Sequence, residues 1–177
     1  MRRALFQPTA EGEARLLLLI AAFSVNGASL EGRTKLAKLD FLLRYPLFFA
    51  RALAMRPGLT NRARTAIEQA DSEGPTIESR MMRYRYGPWD PAYFALLGRL
   101  VGKGLVETVS EGAGVGYRVT ERGVAIAGSL ADTEAWASTA ERAALLKAHF
   151  DLTGNGLKNF IYDNFPEVAG ASWGQTL

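Results

Sequence analysis

The sequence predicts a mainly α-helical fold that carries a small β-hairpin. Apolar residues recur at helical spacing through most of the 177 residues, and 48% of the chain is hydrophobic. One segment, residues 105–120, is instead rich in β-branched residues and contains a glycine-rich turn. Three separate helix-start signals at residues 89–94 precede this segment. We therefore expect helices, one hairpin and a well-marked junction between them.

Composition narrows the classes of function. A chain of this length can bury a core without cross-links. It contains no cysteine, which excludes disulfides, thiolate nucleophiles and cysteine-ligated zinc. The single histidine, His149, fits a solvated or core residue better than a catalytic base. We therefore expect no catalytic site, no metal site and no cofactor, and a protein that is not an enzyme.

The apolar run at residues 16–23 is predicted to be a buried helix. It is far shorter than the ~20 apolar residues that a membrane span needs. Glu11, Glu13 and Arg15 directly precede it, whereas a signal peptide carries no acidic residue there. The sequence thus indicates a cytoplasmic protein without membrane contact.

The first third of the chain is predicted to be helical. The first helix covers residues 10–25 and is followed by Asn26 and Gly27, which tolerate the left-handed conformation that ends helices. A second helix covers residues 33–44, where leucines recur at helical spacing. A helical insertion then occupies about residues 45–75. Its two helices are predicted over residues 47–55 and 59–74.

The next helix begins where several start signals coincide. The carboxylate of Asp90 can accept hydrogen bonds from the free amides of the first turn, as an N-cap does. Pro91 follows at the first helical position, where its missing N–H has no cost. Trp89 and Phe94 occupy the positions of a hydrophobic staple. Gly104, after a basic last turn, marks the end of this helix.

A hairpin follows this helix directly. Strands are predicted over residues 105–109 and 117–120, with a turn at residues 111–116 and a further helix from Glu121. The order of helix, strand, glycine turn, strand and helix is typical of a winged helix-turn-helix domain. We assign residues 1–130 to such a domain, with additional N-terminal and C-terminal helices.

The remainder of the chain is predicted to be a helical extension over residues 131–168, with a flexible tail at residues 169–177. The extension is more apolar than a lone terminal segment requires. It is expected either to cover the core of the domain or to bind a partner, including a second copy of the chain in a homodimer. Trp136, Phe150 and Phe160 are the candidate partner-binding residues.

Charge is unevenly distributed along the chain. Residues 33–103 hold thirteen basic and six acidic residues, a net charge of +7, whereas residues 104–177 hold five basic and nine acidic residues. Dispersed cations of this kind can contact a DNA backbone without reading its sequence. The alternative is a solvated surface whose arginines pair with the acidic end of the chain. The candidate phosphate contacts are Arg33, Lys35, Lys38, Arg44, Arg80, Arg83, Arg85, Arg99 and Lys103.

The helix that precedes the hairpin is poorly suited to recognise DNA bases. Base readout needs polar side chains on its outer face. Residues 91–103 offer only Arg99 and Lys103, while Gly98 and Gly102 leave a surface suited to close packing. The helix is therefore predicted to pack against another protein.

Three motifs carry a resemblance to a known family. They are residues 34–46 (TKLAKLDFLLRYP), 83–90 (RYRYGPWD) and 100–105 (LVGKGL). With them the chain, over about residues 10–150, resembles the winged-helix middle-component subunits of bacterial ABC three-component systems, as in Lamassu-type anti-phage defence. The resemblance implies a non-catalytic adaptor that joins an SMC/Rad50-like ATPase to an effector subunit near DNA.

A second interpretation stays open at this point. The Tyr-Gly-Pro and Gly-Leu elements of these motifs also recur in antitoxin-like winged helices. The alternative function is therefore a winged-helix DNA-binding transcriptional regulator or antitoxin.

Overall fold

The computed structural model describes residues 6–73, 81–84, 87–112 and 114–177. Its helices are α1 (Ala10–Phe23), α2 (Gly32–Arg44), α3 (Pro46–Ala54), α4 (Asn61–Ser72), α5 (Tyr93–Gly102), α6 (Glu121–Ala131), α7 (Glu134–Phe150), α8 (Gly154–Asn164) and α9 (Pro166–Ala169). Its strands are β1 (Leu30–Glu31), β2 (Met82–Tyr84), β3 (Gly87–Trp89), β4 (Val106–Glu111) and β5 (Gly114–Val119). A mainly α fold with a small antiparallel β element is thus confirmed.

The strands form two antiparallel sheets. The larger sheet has the order β1-β5-β4, in which Leu30 pairs with Tyr117 and Val106 pairs with Val119. The smaller one is the β2–β3 hairpin, where Met82 pairs with Trp89. The predicted hairpin at residues 105–120 is therefore present, with longer strands than expected. The sequence did not indicate β1, because a strand of two residues is too short to show alternation.

The end of α1 is determined by residues close in sequence and by a hydrogen bond to the distant strand β5. The hydroxyl of Ser24 donates to the carbonyl oxygen of Ile20 at 2.7 Å and accepts from the amide of Val119 at 3.0 Å. The helix consequently stops at Phe23, two residues before the predicted end. Asn26 follows with φ 58, so the left-handed conformation expected there is confirmed.

The end of α5 follows its sequence signal, whereas its start lies two residues later than predicted. The carboxylate of Asp90 accepts from the amide of Ala92 at 2.7 Å within a turn, and the regular helix begins at Tyr93, with Ala92 at the N-cap position in place of Asp90. At the other end, the amide of Leu105 donates to the carbonyl oxygen of Leu100 at 3.0 Å, and Gly104 has φ +66. This pairing is the Schellman end that glycine favours, and it directs the chain into β4.

The helical insertion packs on its own neighbours. Helix α4 lies against α3 and α7, and its buried residues are Ala63, Ala66 and Ala70. Ile67 is partly buried beside them, and the other residues of the helix are exposed, as its weak apolar stripe predicts. Residue 74, the predicted end of this helix, lies outside the described residues.

The C-terminal helices share one apolar core with the rest of the chain. Helix α7 packs along α1, and α8 packs along α2. Leu146, Phe150, Ile161 and Phe165 are fully buried within this core. The predicted extension over residues 131–168 thus covers the core, which was one of the two expectations. The assignment of Phe150 to partner binding is wrong, because no part of its side chain is exposed.

The last residues of the chain pair with β2. The amide of Arg83 donates to the carbonyl oxygen of Gln175 at 2.8 Å, and the amide of Leu177 donates to Met81 at 2.8 Å. The hydroxyl of Tyr45 donates to the carbonyl oxygen of Leu177 at 3.1 Å. The structure therefore replaces the predicted flexible tail with a strand-like edge. None of the helices in the described ranges is long and apolar enough to cross a membrane.

Candidate interaction surface

The outer face of α5 is apolar and open. Phe94 is 59% exposed and Val101 is 38% exposed, although both are large hydrophobic residues. Gly98 lies between them, and no atom lies within 4 Å of the position that a Cβ would take there. A groove of about 290 Å³ separates this face from Thr108 and Tyr117 of the sheet. We call the exposed surface of Phe94, Gly98 and Val101 the α5 face.

The basic residues of α5 are directed away from this face. Lys103 forms an ion pair with Glu13 of α1. The guanidinium of Arg99 lies 3.4 Å from the same carboxylate and donates to the carbonyl oxygen of Pro8 at 3.1 Å. Residues four apart on a helix share one side, so a single acid on α1 reaches both cations. The charged residue that lies against the α5 face is instead Arg33 of α2, which lines the same groove and has its guanidinium 4.6 Å from the centre of the Phe94 ring.

Two predicted phosphate contacts are internal. The ammonium of Lys35 lies 2.8 Å from Asp151 and 3.2 Å from Glu31. Arg44 pairs with Asp40 at 2.8 Å and with Asp90 at 2.5 Å. Both side chains are buried, so neither can reach a phosphate backbone. The predicted role of Lys35 and Arg44 as phosphate contacts is therefore wrong, and these cations join elements of the fold.

Asp40 is the centre of a buried polar network. Its carboxylate lies 2.7 Å from the guanidinium of Arg15 and accepts from the hydroxyl of Tyr93 at 2.7 Å, in addition to its pair with Arg44. Burial opposes ionisation, but Arg15 and Arg44 outweigh it and hold the pKa of Asp40 below its ordinary value. Burial and the Asp40 charge raise the pKa of Tyr93. The network ties α1 and α2 to the start of α5.

A second concavity lies between α2 and the β2–β3 hairpin. It has a volume of about 280 Å³ and aromatic walls, with Arg33 and Lys38 as its cations. The ammonium of Lys38 donates to the carbonyl oxygen of Thr34 at 3.0 Å, and the residue is 1% exposed. Burial, aided by Lys158, lowers the pKa of Lys38 to about 8. Lys38 is therefore unsuited to contact an extended DNA backbone, which corrects its predicted role.

The remaining predicted cations lie around the same hairpin. The guanidinium of exposed Arg33 is 4.6 Å from the centre of the Phe94 ring. The guanidinium of half-buried Arg83 is 4.9 Å from the centre of the Tyr162 ring. Arg80 and Arg85 lie outside the described residues. The structure thus leaves Arg33 accessible and Arg83 partly accessible.

Two predicted partner-binding residues are half-buried. Trp136 lines a shallow depression beside Arg15 and Arg142. Phe160 packs edge-on against Phe150, with ring centres 5.2 Å apart. Both keep some exposed surface, and their role in partner binding stays a prediction.

The sequence analysis named Phe94 only as part of a hydrophobic staple and did not name Val101 as a site residue. A usable signal existed, because Phe94, Gly98 and Val101 are spaced by four and three residues and share one side of a helix. That side adjoins the leucines that enter the core, and Leu97 lines the same groove. A helix whose apolar surface extends this far beyond its core-facing side is expected to bury the additional part as well.

In the part of the chain that the structure describes, no three His, Cys, Asp or Glu side chains come together in a way that could hold a metal ion. No protein-family model matches the chain, and neither curated proteins nor solved structures include a match.

Proposed function

We propose that the chain is a winged-helix adaptor, a non-catalytic subunit that joins an SMC/Rad50-like ATPase to an effector in an anti-phage defence complex. The order of its elements supports the winged helix. Helix α1, strand β1 and helix α2 come first, and α5 with the β4–β5 hairpin comes later. The larger sheet has the order β1-β5-β4. In this interpretation α3, α4 and the β2–β3 hairpin are an insertion.

The apolar α5 face is the observation that carries the adaptor role. In a helix-turn-helix protein, the corresponding helix enters the major groove and presents polar side chains to base edges. Here that side presents Phe94, Gly98 and Val101, and the nearby cations Arg99 and Lys103 are held by Glu13. Covering apolar surface contributes roughly 25 cal/mol per Å². A protein partner with an apolar surface would obtain this favourable free energy by covering the α5 face. The polar edges of DNA bases would not.

The positions of the cations support the same proposal. Contact with the phosphates of an extended DNA backbone depends on exposed Lys and Arg side chains that release counterions. Of the candidate contacts, Lys35, Lys38 and Arg44 are buried. Among the described candidates, direct contact with a DNA backbone therefore falls to exposed Arg33, Arg99 and Lys103, and it would not depend on sequence.

Replacing Val101 with glutamate tests the adaptor role. The proposal expects a gene for an SMC/Rad50-like ATPase beside the gene of this chain, and stable co-purification of the two products. A charge on the α5 face would have to be desolvated in the complex, so Val101→Glu is expected to weaken the interaction at least tenfold. The measurement is affinity capture of the co-expressed ATPase, followed by titration of the purified subunits.

Ile126→Glu is the matched control. Ile126 is 42% exposed on α6, so the same kind of change is made at similar exposure on another helix. This variant is expected to retain the interaction. Equal binding by both variants would exclude the α5 face as the interface, and an unsubstituted chain that elutes alone would end the adaptor proposal.

The alternative function is a winged-helix transcriptional regulator or antitoxin. The element order favours it, because the same order occurs in DNA-binding domains. The discriminating measurement compares the affinity of the chain for a cognate operator and for random DNA. A strong preference for the operator supports the regulator, whereas equal affinity with a steep salt dependence rules it out.

A further inference from the structure

The concavity between α2 and the β2–β3 hairpin combines aromatic walls with positive charge. Tyr84, Trp89 and Phe94 supply the aromatic side chains, and Arg33 and Lys38 supply the cations. Its volume of about 280 Å³ is just below the range of small-molecule sites, which span roughly 300–1,000 Å³. The space therefore suits one compact ligand that is partly open to solvent.

The positive charge of this pocket is not balanced by an acid. No carboxylate occurs among the described residues that line it. Lys38 donates to the backbone oxygen of Thr34, and its ammonium group has further N–H donors. Lys158 adds a second positive charge close enough to lower the pKa of Lys38. A buried ammonium that has no carboxylate among the described residues lining its pocket has a high desolvation cost, which a bound anion would offset.

An anionic ligand would use this arrangement well. The ammonium of Lys38 is already desolvated, so an incoming anion does not have to strip water from it. Arg33, which is exposed at the rim, can offer several N–H groups to the same anion. The ring of Tyr84 is 49% exposed, and its centre is 6.1 Å from that of Trp89. A flat apolar group attached to the anion could stack there.

We infer that this pocket binds a nucleoside phosphate, with the phosphate at Lys38 and Arg33 and the base against Tyr84 and Trp89. Every base has a face that stacks on aromatic rings, so this part of the site tolerates any base. The chemistry is shared by a free mononucleotide and by the 5′-phosphorylated end of a single strand. The pocket adjoins the α5 face, because Phe94 belongs to both and Arg33 lines both the pocket and the groove beside that face. The inference is tested on the isolated chain, so its outcome does not depend on the adaptor role.

Titration calorimetry with a panel of ligands tests the inference. The panel contains the four nucleoside monophosphates, the matching nucleosides, inorganic phosphate, a 5′-phosphorylated oligothymidine and the same oligothymidine without phosphate. The monophosphates are expected to bind at least tenfold more tightly than either phosphate or nucleoside alone. Tight binding of the phosphorylated oligonucleotide as well identifies the strand end as a ligand. If the phosphorylated oligonucleotide does not bind, the site accepts only free nucleotides.

Variants of the cations and of the stacking ring locate the binding. Lys38→Met and Arg33→Met are each expected to weaken monophosphate binding at least tenfold, and Tyr84→Ala severalfold. Lys147→Met, a change of an outlying lysine on α7, is the control and is expected to retain affinity. Lys38→Met should not lower the melting temperature, because it removes a desolvated charge, so its loss of binding cannot be attributed to unfolding.

Several results would overturn the inference. These are unchanged affinity in both Lys38→Met and Arg33→Met, equal affinity for phosphate and nucleotide, or equal affinity for nucleoside and nucleotide. Tighter binding of a carboxylate-ended peptide than of any monophosphate would also overturn it, by assigning the pocket to a protein partner.

Discussion

Replacing Asp40 with asparagine is expected to lower the free energy of unfolding by about 3–5 kcal/mol. Asparagine has nearly the same shape, so the change removes the negative charge and little else. Arg15 and Arg44 would then lose the charge of Asp40 that lies between them, while Arg44 keeps its pair with Asp90. Removing one partner from a buried group of ion pairs is costly because the remaining buried positive charge is less well neutralised.

Urea unfolding followed by circular dichroism measures this loss. Glu141→Gln is the control, because Glu141 pairs with Arg62 at the surface and exposed pairs contribute only about 0–1 kcal/mol. The effect also has a defined pH dependence. The pKa of Asp40 is lowered in the folded state from 3.8, so its contribution is present above that value and is lost as the pH falls through the folded pKa. A loss as small as that of Glu141→Gln would contradict the structural role of the network.

Replacing Gly123 with alanine is expected to destabilise the fold by about 3 kcal/mol, the upper part of the range for overpacking. A Cβ at this position would overlap the carbonyl oxygen of Leu105 and lie 2.5 Å from Cγ2 of Val119. The carbonyl cannot move aside freely, because the amide of Thr120 donates to it at 3.1 Å. The first turn of α6 would have to leave the sheet.

Gly128→Ala in the same helix is the matched control for this prediction. No atom lies within 4 Å of a Cβ at Gly128, so alanine there should stabilise α6 by up to about 1 kcal/mol through its higher helix propensity. The two substitutions are expected to shift the melting temperature in opposite directions. Shifts of the same sign would show that Gly123 does not hold α6 against the sheet.

Features controlled by neighbouring residues could be predicted from the sequence. The hydrogen bond of the Asp90 carboxylate in the turn before α5, the left-handed residue Asn26 and the glycine end of α5 each depend on a few adjacent residues. The β4–β5 hairpin was found for the same reason, because its strands and turn are contiguous. The burial of α1 followed from the acidic residues and the short apolar run around it.

Features that depend on distant contacts could not be predicted in this way. The sequence predicts that Lys35 is a surface cation. In the structure its ammonium group donates to Asp151, which is 116 residues away in the chain. The pairing of Met82 with Thr176 likewise joins segments that share no local pattern. The candidate phosphate contacts were therefore chosen by residue type alone. Burial, which decides whether a cation can meet a phosphate, is set by the packing of α7 and α8.

The most direct test of the adaptor proposal is site-specific photo-crosslinking from the α5 face. A photoreactive phenylalanine analogue is placed at Gly98 or, as the matched control, at Gly128, since both positions have open space around a Cβ. In the co-expressed complex, the Gly98 variant is expected to crosslink to the SMC/Rad50-like ATPase and the Gly128 variant is not. Crosslinks from Gly98 to DNA in place of protein, or equal yields from both positions, would contradict the proposal.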